Sequence, residues 1–449
     1  MKARWTPFAV ALCAIALAAL AVRITFVVVV DPDVPPIGDA SAYHLLANNL
    51  AEHGEYFRPF DDQLLHEVRP TAEYPPLFPV LLAVPARLGA TSVEAQRIFL
   101  AFVGAGTVVL IGLLGRRVGG ARVGLVAAGL AAIYPMLFQS EGVLMAESVF
   151  VPLVVVTLLL AYRALDDPTT GRFALLGVAL GLTTLARAEG LLLGLLLVVP
   201  MCWCLWRLDR GRRVVLAVTA LGIAVLVVAP WTIRNAVRLH AFVPVSNNVA
   251  TLIDGANCDA VYGGDQIGLW RATFTPNGET DRSLPQAVAC FEGFDIADPD
   301  FDEAEAADRQ RDDGLGYARD HLGSLPKVAA VRWLRTFGLY DPSQQVDYES
   351  LEGRPSGWQW AGTVMYWVMV PFAVGGIVLL RRRRVPIWPL VAPVVAVSIT
   401  AVLTYGQQRF RAGAEPVIIV AAAVALVAVG RALRSRASTA PPARSQPAR

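Results

Sequence analysis

The chain predicts an all-α polytopic membrane protein of about ten transmembrane helices, with a mixed external loop domain. Two observations carry this. About ten apolar stretches are each long enough to cross a bilayer, and the loops between them carry basic residues in an alternating order. Composition agrees: 55% of residues are hydrophobic, 17% are charged and mean hydropathy is +0.50, which excludes an ordinary soluble domain. The net charge of +2 says little, and no nucleic-acid partner is expected.

The spans run over about 7–30, 94–115, 123–139, 144–162, 173–186, 189–206, 214–231, 361–380, 386–404 and 415–433. Lys2 and Arg4 precede the first, Arg116, Arg117 and Arg122 separate the second from the third, and Arg163 and Arg172 separate the fourth from the fifth. Arg207 to Arg213, Arg381 to Arg384 and Arg431 to Arg436 follow the sixth, eighth and tenth. All six clusters fall on one face, which the positive-inside rule makes cytoplasmic. The even count then puts both termini inside a multi-pass cell-membrane protein.

The first span resembles a cleaved secretory signal in composition, but its length and the spans behind it favour an uncleaved anchor. The fifth and sixth are short and meet at Thr184 to Glu189, which suits a bent hairpin. The chain divides into an N-terminal membrane module, 1–231, whose first external loop is 31–93; an external domain, 232–360; C-terminal spans, 361–434; and a disordered cytoplasmic tail, 435–449. Trp358, Trp360, Tyr366 and Trp367 form an aromatic belt at the return into the bilayer.

Cys13, Cys202 and Cys204 lie in spans, where a thiol is a small apolar group. Cys258 and Cys290 both fall in the external domain, an oxidising location where a disulfide is expected, worth about 3–4 kcal/mol by loop-closure entropy. Asp298, Asp300 and Asp302 imitate the start of a calcium loop, but Glu303 occupies the position that needs Gly and Arg309 the position that needs Glu. A solvated helix start fits better. Downstream, Val328, Val331, Leu334 and Phe337 recur at helical spacing among Arg332 and Arg335, predicting a helix on the outer membrane surface.

The first external loop holds the most chemistry. Tyr43, Leu46, Ala47 and Leu50 form a helical stripe ending at Gly54, so Asp39 is the N-cap candidate, and a carboxylate so held is also well oriented for catalysis. Tyr74-Pro75-Pro76 makes an interfacial elbow before the second span. His44, His53 and His66 lie near Glu52, Asp61, Asp62 and Glu67, but their spacing fits no metal motif. No cofactor is expected; a divalent metal is compatible with these side chains but supported by no motif.

Several charges break the cytoplasmic rule in short outward segments: Arg187 with Glu189, Arg409 with Arg411, Arg23 in the outer half of the first span, and Glu147 at the entry of the fourth. Ionisable groups at a membrane edge are costly unless they pair with one another, snorkel to headgroups or face a polar cavity. Together they predict an outer-leaflet cavity lined by carboxylates and guanidiniums.

Gly38-Asp39, the Tyr74-Pro75-Pro76 elbow, Met145-Ala146-Glu147, Arg187-Ala188-Glu189-Gly190, Pro230-Trp231 with Arg234-Asn235, and Arg409-Phe410-Arg411 followed by Glu415-Pro416 resemble the GT-C glycosyltransferases. The set is most similar to glycosyltransferase family 39, which includes protein O-mannosyltransferases and the aminoarabinose transferases of lipid A. The Asn257-Cys258 region and the Arg bias resemble an actinobacterial branch; Gly413 stands where such sequences often carry Pro. The resemblance implies sugar transfer from a polyprenyl-phosphate carrier to a hydroxyl of a lipid, glycan or protein acceptor on the outer face. Asp39 would be the base, with Glu147 a second catalytic acid. Arg187, Arg409 and Arg411 would meet the phosphate, with Glu189, Tyr74 and Arg23 completing the substrate site. No phosphate-cradling glycine loop is present, and a lipid-borne donor needs none. A flippase for lipid-linked sugars would more usually show repeated halves and mid-membrane polar groups, which this chain lacks. A non-catalytic assembly subunit sharing the fold is the other alternative.

Overall fold

The computed structural model describes residues 6–33, 35–59, 68–271, 290 and 301–439, with side chains to 435. His66 and its neighbours Asp61, Asp62 and Glu67, the acidic residues Asp298 and Asp300, the N-terminal Lys2 and Arg4, and the far end of the tail lie outside the described residues.

Each of the ten predicted segments falls on helix. They are α1 (Pro7–Thr25, extended by a π turn, Phe26–Val30), α4 (Val93–Gly119), the pair α5 (Ala121–Ile133) and α6 (Pro135–Gly142), α7 (Glu147–Asp166), α8 (Thr170–Ala186), α9 (Glu189–Cys204), α10 (Arg210–Arg238), α15 (Ser356–Arg382), α16 (Trp388–Leu403) and α17 (Glu415–Thr439). Six are long and apolar enough to cross a membrane, or seven with the bent pair, while α8, α9 and α16 are shorter apolar helices. The third segment is not one continuous helix: it breaks by 49° between α5 and α6. Pro135 is the reason. It has no N–H to continue the ladder, and Tyr134 before it is extended (ψ 112°).

α17 lies at the centre, buried on every side from Val417 to Ala425, whereas α10 buries only Leu216, Ala220 and Asn235 and presents its apolar surface outward. Small residues allow close helix approach: a Cβ on Gly376 of α15 would sit 1.8 Å from the Ala421 carbonyl of α17.

Outside the bundle, α2 (Asp39–His53) and α3 (Leu77–Arg87) belong to the first loop. α2 ends at Gly54 in the left-handed region (φ 73°), as its stripe predicts. The external domain, expected to be mixed, is helical among the described residues: α11 (Asn248–Gly255), α12 (Glu303–Asp320), α13 (Leu325–Thr336) and α14 (Pro342–Ser350). Asp302 caps α12 by accepting from Ala304 and Glu305 N–H, the solvated helix start anticipated. Cys258 and Cys290 are disulfide-bonded, their Cα atoms 5.2 Å apart. Arg332 and Arg335 of α13 do not flank a free amphipathic face. Both are fully buried, donating to the backbone carbonyls of Ala256 and Ile267 respectively.

Glu303 joins this domain to the first loop, accepting from Ala72 N–H (2.8 Å) and Asn247 Nδ2 (2.7 Å). From α10, Arg234 donates to the Thr71 and Tyr56 carbonyls, so the Trp231 to Asn235 motif anchors the first loop. These ties hold the Tyr74-Pro75-Pro76 elbow over the end of the bundle.

Candidate active site

Four segments distant in sequence converge at one end of the bundle: the start of α2, the α6–α7 junction, the α8–α9 turn and the 3₁₀ turn Gln408–Gly413. Each placement has a local cause. Gly38 adopts φ 57° and is itself the N-cap, leaving Asp39 as the first helical residue. The expected capping bond from Asp39 is therefore absent, because its side chain points out of the first turn instead of back along it. Glu147 and Glu189 each open a helix, and Arg187 is the extended residue (ψ 134°) ending α8.

The resulting network is continuous. Asp39 Oδ1 accepts from Tyr74 Oη (3.2 Å) and Oδ2 from Arg409 Nη2 (2.9 Å). Arg409 also reaches Glu352 Oε1 (3.1 Å) and lies 4.0 Å from Glu147 Oε1. Arg187 donates to Glu147 (2.7 Å) through one arm and to Glu189 through Nε (2.9 Å) and Nη2 (3.1 Å). Among the predicted residues the structure thus brings together Asp39, Tyr74, Glu147, Arg187, Glu189 and Arg409.

Exposure separates the acids. The Glu147 side chain is 2% exposed, against 21% for Glu189 and 27% for Asp39. Burial disfavours charge on Arg187 and Arg409, but the carboxylates around them, Glu189 and Glu147 for the first and Glu352 and Asp39 for the second, hold both guanidiniums above their ordinary range. Burial holds the Glu352 carboxyl above its ordinary value against the opposing pull of Arg409 and Arg354. The Tyr74 phenol is well above its usual value through burial and the nearby carboxylates of Glu73 and Asp39, so it serves as a hydrogen-bond donor.

Arg23 and Arg411 stand apart from this network. Arg23 is buried against Glu141 (Nε to Oε2, 2.6 Å) and donates to the Ala132 carbonyl. Arg411 pairs with Glu415 (2.5 Å), which also accepts from Tyr134 (2.9 Å), and its guanidinium lies 3.5 Å from the Tyr366 ring centroid. Gly413 lies two residues on; a Cβ there would meet Phe150 at 3.0 Å. His44 bonds Gln96 and Asn48, and among the described residues no group of three metal-ligating side chains occurs.

Sequence reasoning missed Glu352, together with Glu349 and Arg354, which form a buried pair at 3.2 Å immediately behind it. Three ionisable residues within reach of the eighth span were visible, but in a polar loop a charge carries no burial cost, so the membrane-edge argument that singles out Arg187 does not select them.

Residues 73–233, which carry Tyr74, Glu147, Arg187 and Glu189, match the family described as dolichyl-phosphate-mannose-protein mannosyltransferase. No curated protein matches the chain. Among solved structures, the Archaeoglobus fulgidus oligosaccharyltransferase in the apo form overlays with a TM-score of 0.54 at 17% identity, covering 97% of this chain and 52% of that one. The same enzyme tethered to an acceptor peptide gives 0.53 at 16% identity, covering 95% and 50%. ArnT from Cupriavidus metallidurans bound to undecaprenyl phosphate gives 0.44 at 16% identity, covering 98% and 82%. The chain spans about half the length of the oligosaccharyltransferase chains it overlays. Its helical membrane bundle, its superposition on the oligosaccharyltransferase and the match over residues 73–233 together make it a multi-pass membrane protein with the GT-C glycosyltransferase fold.

Proposed function

We propose that this protein is a membrane glycosyltransferase that moves a sugar from a polyprenyl-phosphate carrier to a hydroxyl acceptor on the outer face of the membrane. The observation that carries this is the network in which Asp39 and two membrane-edge arginines are joined by hydrogen bonds and ion pairs, with Tyr74, Glu147, Arg187 and Glu189 contributed by the segment that matches the dolichyl-phosphate-mannose-protein mannosyltransferase family. In the reaction, the acceptor oxygen forms a bond to the sugar's anomeric carbon as the bond from that carbon to the phosphate oxygen breaks. Asp39 takes the acceptor's proton; Arg187 and Arg409 stabilise the phosphate as it gains charge. Glu147 is too enclosed to meet an acceptor directly and orients Arg187. Arg23 and Arg411 brace the helices beside the site.

The orientation follows from the charge pattern. Arg117 with Asp166 (2.5 Å) and Arg172 with Asp167 (3.1 Å) cluster at the end of α7 opposite Glu147, as expected if that end is cytoplasmic and the network is external. Both termini are then inside. In the Cys258→Ser variant, Cys290 should react with an impermeant thiol reagent in intact cells; labelling only after the membrane is opened would invert this topology.

The function is tested by transfer of radiolabelled sugar from a synthetic polyprenyl-phosphate donor to acceptor in liposomes containing the purified protein. Transfer abolished in the Asp39→Asn variant is the expected result. Movement of the labelled lipid between leaflets without transfer would establish the flippase reading instead.

A further inference from the structure

We propose that Glu352 is a positioning residue that shares Arg409 with Asp39 and thereby leaves Asp39 able to accept the acceptor's proton; the inference rests on the reaction proposed above. Glu352 follows α14 in the short connection that leads back into the membrane at α15. Its Oε1 lies 3.1 Å from Arg409 Nη1 and accepts from Gln407 Nε2 at 3.0 Å, while Asp39 Oδ2 takes Nη2 of the same guanidinium at 2.9 Å. Two carboxylates from opposite ends of the sequence therefore occupy the two arms of one fork. The second Glu352 oxygen is buried and makes no hydrogen bond; Arg354 Nε lies 3.8 Å away, and Arg354 is itself engaged by Glu349.

The chemistry follows from which charge is left over after proton transfer. A carboxylate that is the sole partner of a buried guanidinium is a poor base, because protonating it strands the cation. With Glu352 also on Arg409, a proton on Asp39 leaves a neutral Arg409–Glu352 pair. Around Asp39 stand Tyr74, Tyr43, Tyr405, Arg409 and Glu352; around Glu352 stand Arg409, Arg354, Asp39, Glu349, Tyr348, Tyr405 and Gln407. Glu147 cannot replace Glu352 in this role. Its short contact is with Arg187 at 2.7 Å, and Arg409 is 4.0 Å away.

The experiment is kcat/KM for the acceptor as a function of pH in liposomes, for the parent, Glu352→Gln and Glu352→Asp. In Glu352→Gln the acid limb should move to lower pH by about one unit, the size expected for one neighbouring charge in a partly buried site, with a severalfold lower plateau. Glu352→Asp keeps the charge and should keep the parent's limb. A Gln variant that loses rate with an unmoved limb, or keeps full rate, overturns the proposal; so does a limb that shifts equally in the Asp variant. Failure to recover folded Glu352→Gln protein while Glu352→Asp folds with a displaced limb also overturns it, assigning Glu352 to folding. A parent that transfers no sugar refutes the reaction itself, whereas an active parent with an unmoved limb refutes only the role of Glu352.

Discussion

Replacing Asp39 by Asn separates proton transfer from structure, because the two roles place different demands on the same atoms. The carboxylate uses one oxygen for Tyr74 (3.2 Å) and the other for Arg409 (2.9 Å). An amide of the same shape has one acceptor, so one bond survives and the other meets an N–H. Losing a partly exposed, charge-assisted bond costs about 1–2 kcal/mol. Arg409 is not stranded, since Glu352 remains at 3.1 Å. Because Gly38 and not Asp39 caps α2, the substitution takes no cap from the helix. Folding and donor binding should therefore change little.

Turnover should change far more. An amide cannot take the proton, and loss of a general base lowers the rate by about 10²–10⁴-fold, or about 3–5 kcal/mol in the barrier. The assay is turnover and equilibrium binding of donor on one preparation of Asp39→Asn in liposomes. Binding within a few-fold of the parent together with a collapse of kcat is the expected outcome. If kcat stays within a few-fold, Asp39 is an anchor for Arg409 and the proton acceptor must be sought at Glu189, the other partly exposed carboxylate of the network.

Three further perturbations test other parts of the structure. Arg187→Lys keeps a charge but loses the fork that reaches Glu147 and Glu189 together, so the affinity for polyprenyl phosphate should fall about tenfold; unchanged binding would leave Arg187 as a brace between the two acids. Gly376→Ala drives a methyl to within 1.8 Å of the Ala421 carbonyl and must part α15 from the central α17, so the folded yield should fall, with a loss of about 1–3 kcal/mol in detergent denaturation; a parent-like midpoint would show that the helices separate at no cost. Asp254 in the external domain is pushed up to about 7 by burial and by the nearby Asp313 carboxylate. With its folded pKa above the ordinary value of 3.8, its contribution is fully present below about pH 4 and is lost as pH rises through about 7. The thermal midpoint should therefore decline over that window relative to Asp254→Asn, and equal slopes in the two proteins would remove Asp254 as the cause.

The membrane helices were legible because lipid leaves the chain little choice: a span must satisfy its backbone internally and present a long apolar run, which composition records directly. Pro135 was visible within the third run, but whether a proline kinks or ends a span depends on the packing around it, and here the chain breaks by 49°. The buried positions of Arg332 and Arg335 were not legible. Their spacing is that of an amphipathic helix on a membrane, and only the carbonyls of Ala256 and Ile267, far away in sequence, turn that polar stripe inward. The convergence of Asp39, Glu147, Arg187 and Arg409 could be anticipated from the cost of leaving charges alone at a membrane edge. Glu352 could not be placed by the same pattern alone, since it lies in a polar loop where a solvated carboxylate is ordinary and only tertiary contact buries it.

The network holds five carboxylates, Asp39, Glu147, Glu189, Glu349 and Glu352, against three guanidiniums, Arg187, Arg354 and Arg409, so every cation is already engaged. On the proposed function, a donor phosphate therefore meets no bare cation and must exchange with a carboxylate. Exposure decides which one yields. Glu147, at 2% exposed, would be stranded without its arginine, whereas Asp39 and Glu189, at 27% and 21%, can turn toward water. Replacing Glu189 on Arg187 by phosphate swaps one anion for another, leaving Glu147 on the remaining arm and Asp39 with Glu352 on Arg409. The excess of acid is thus what lets one carboxylate yield its arginine to the phosphate while every other cation stays paired and Asp39 keeps its place beside Glu352.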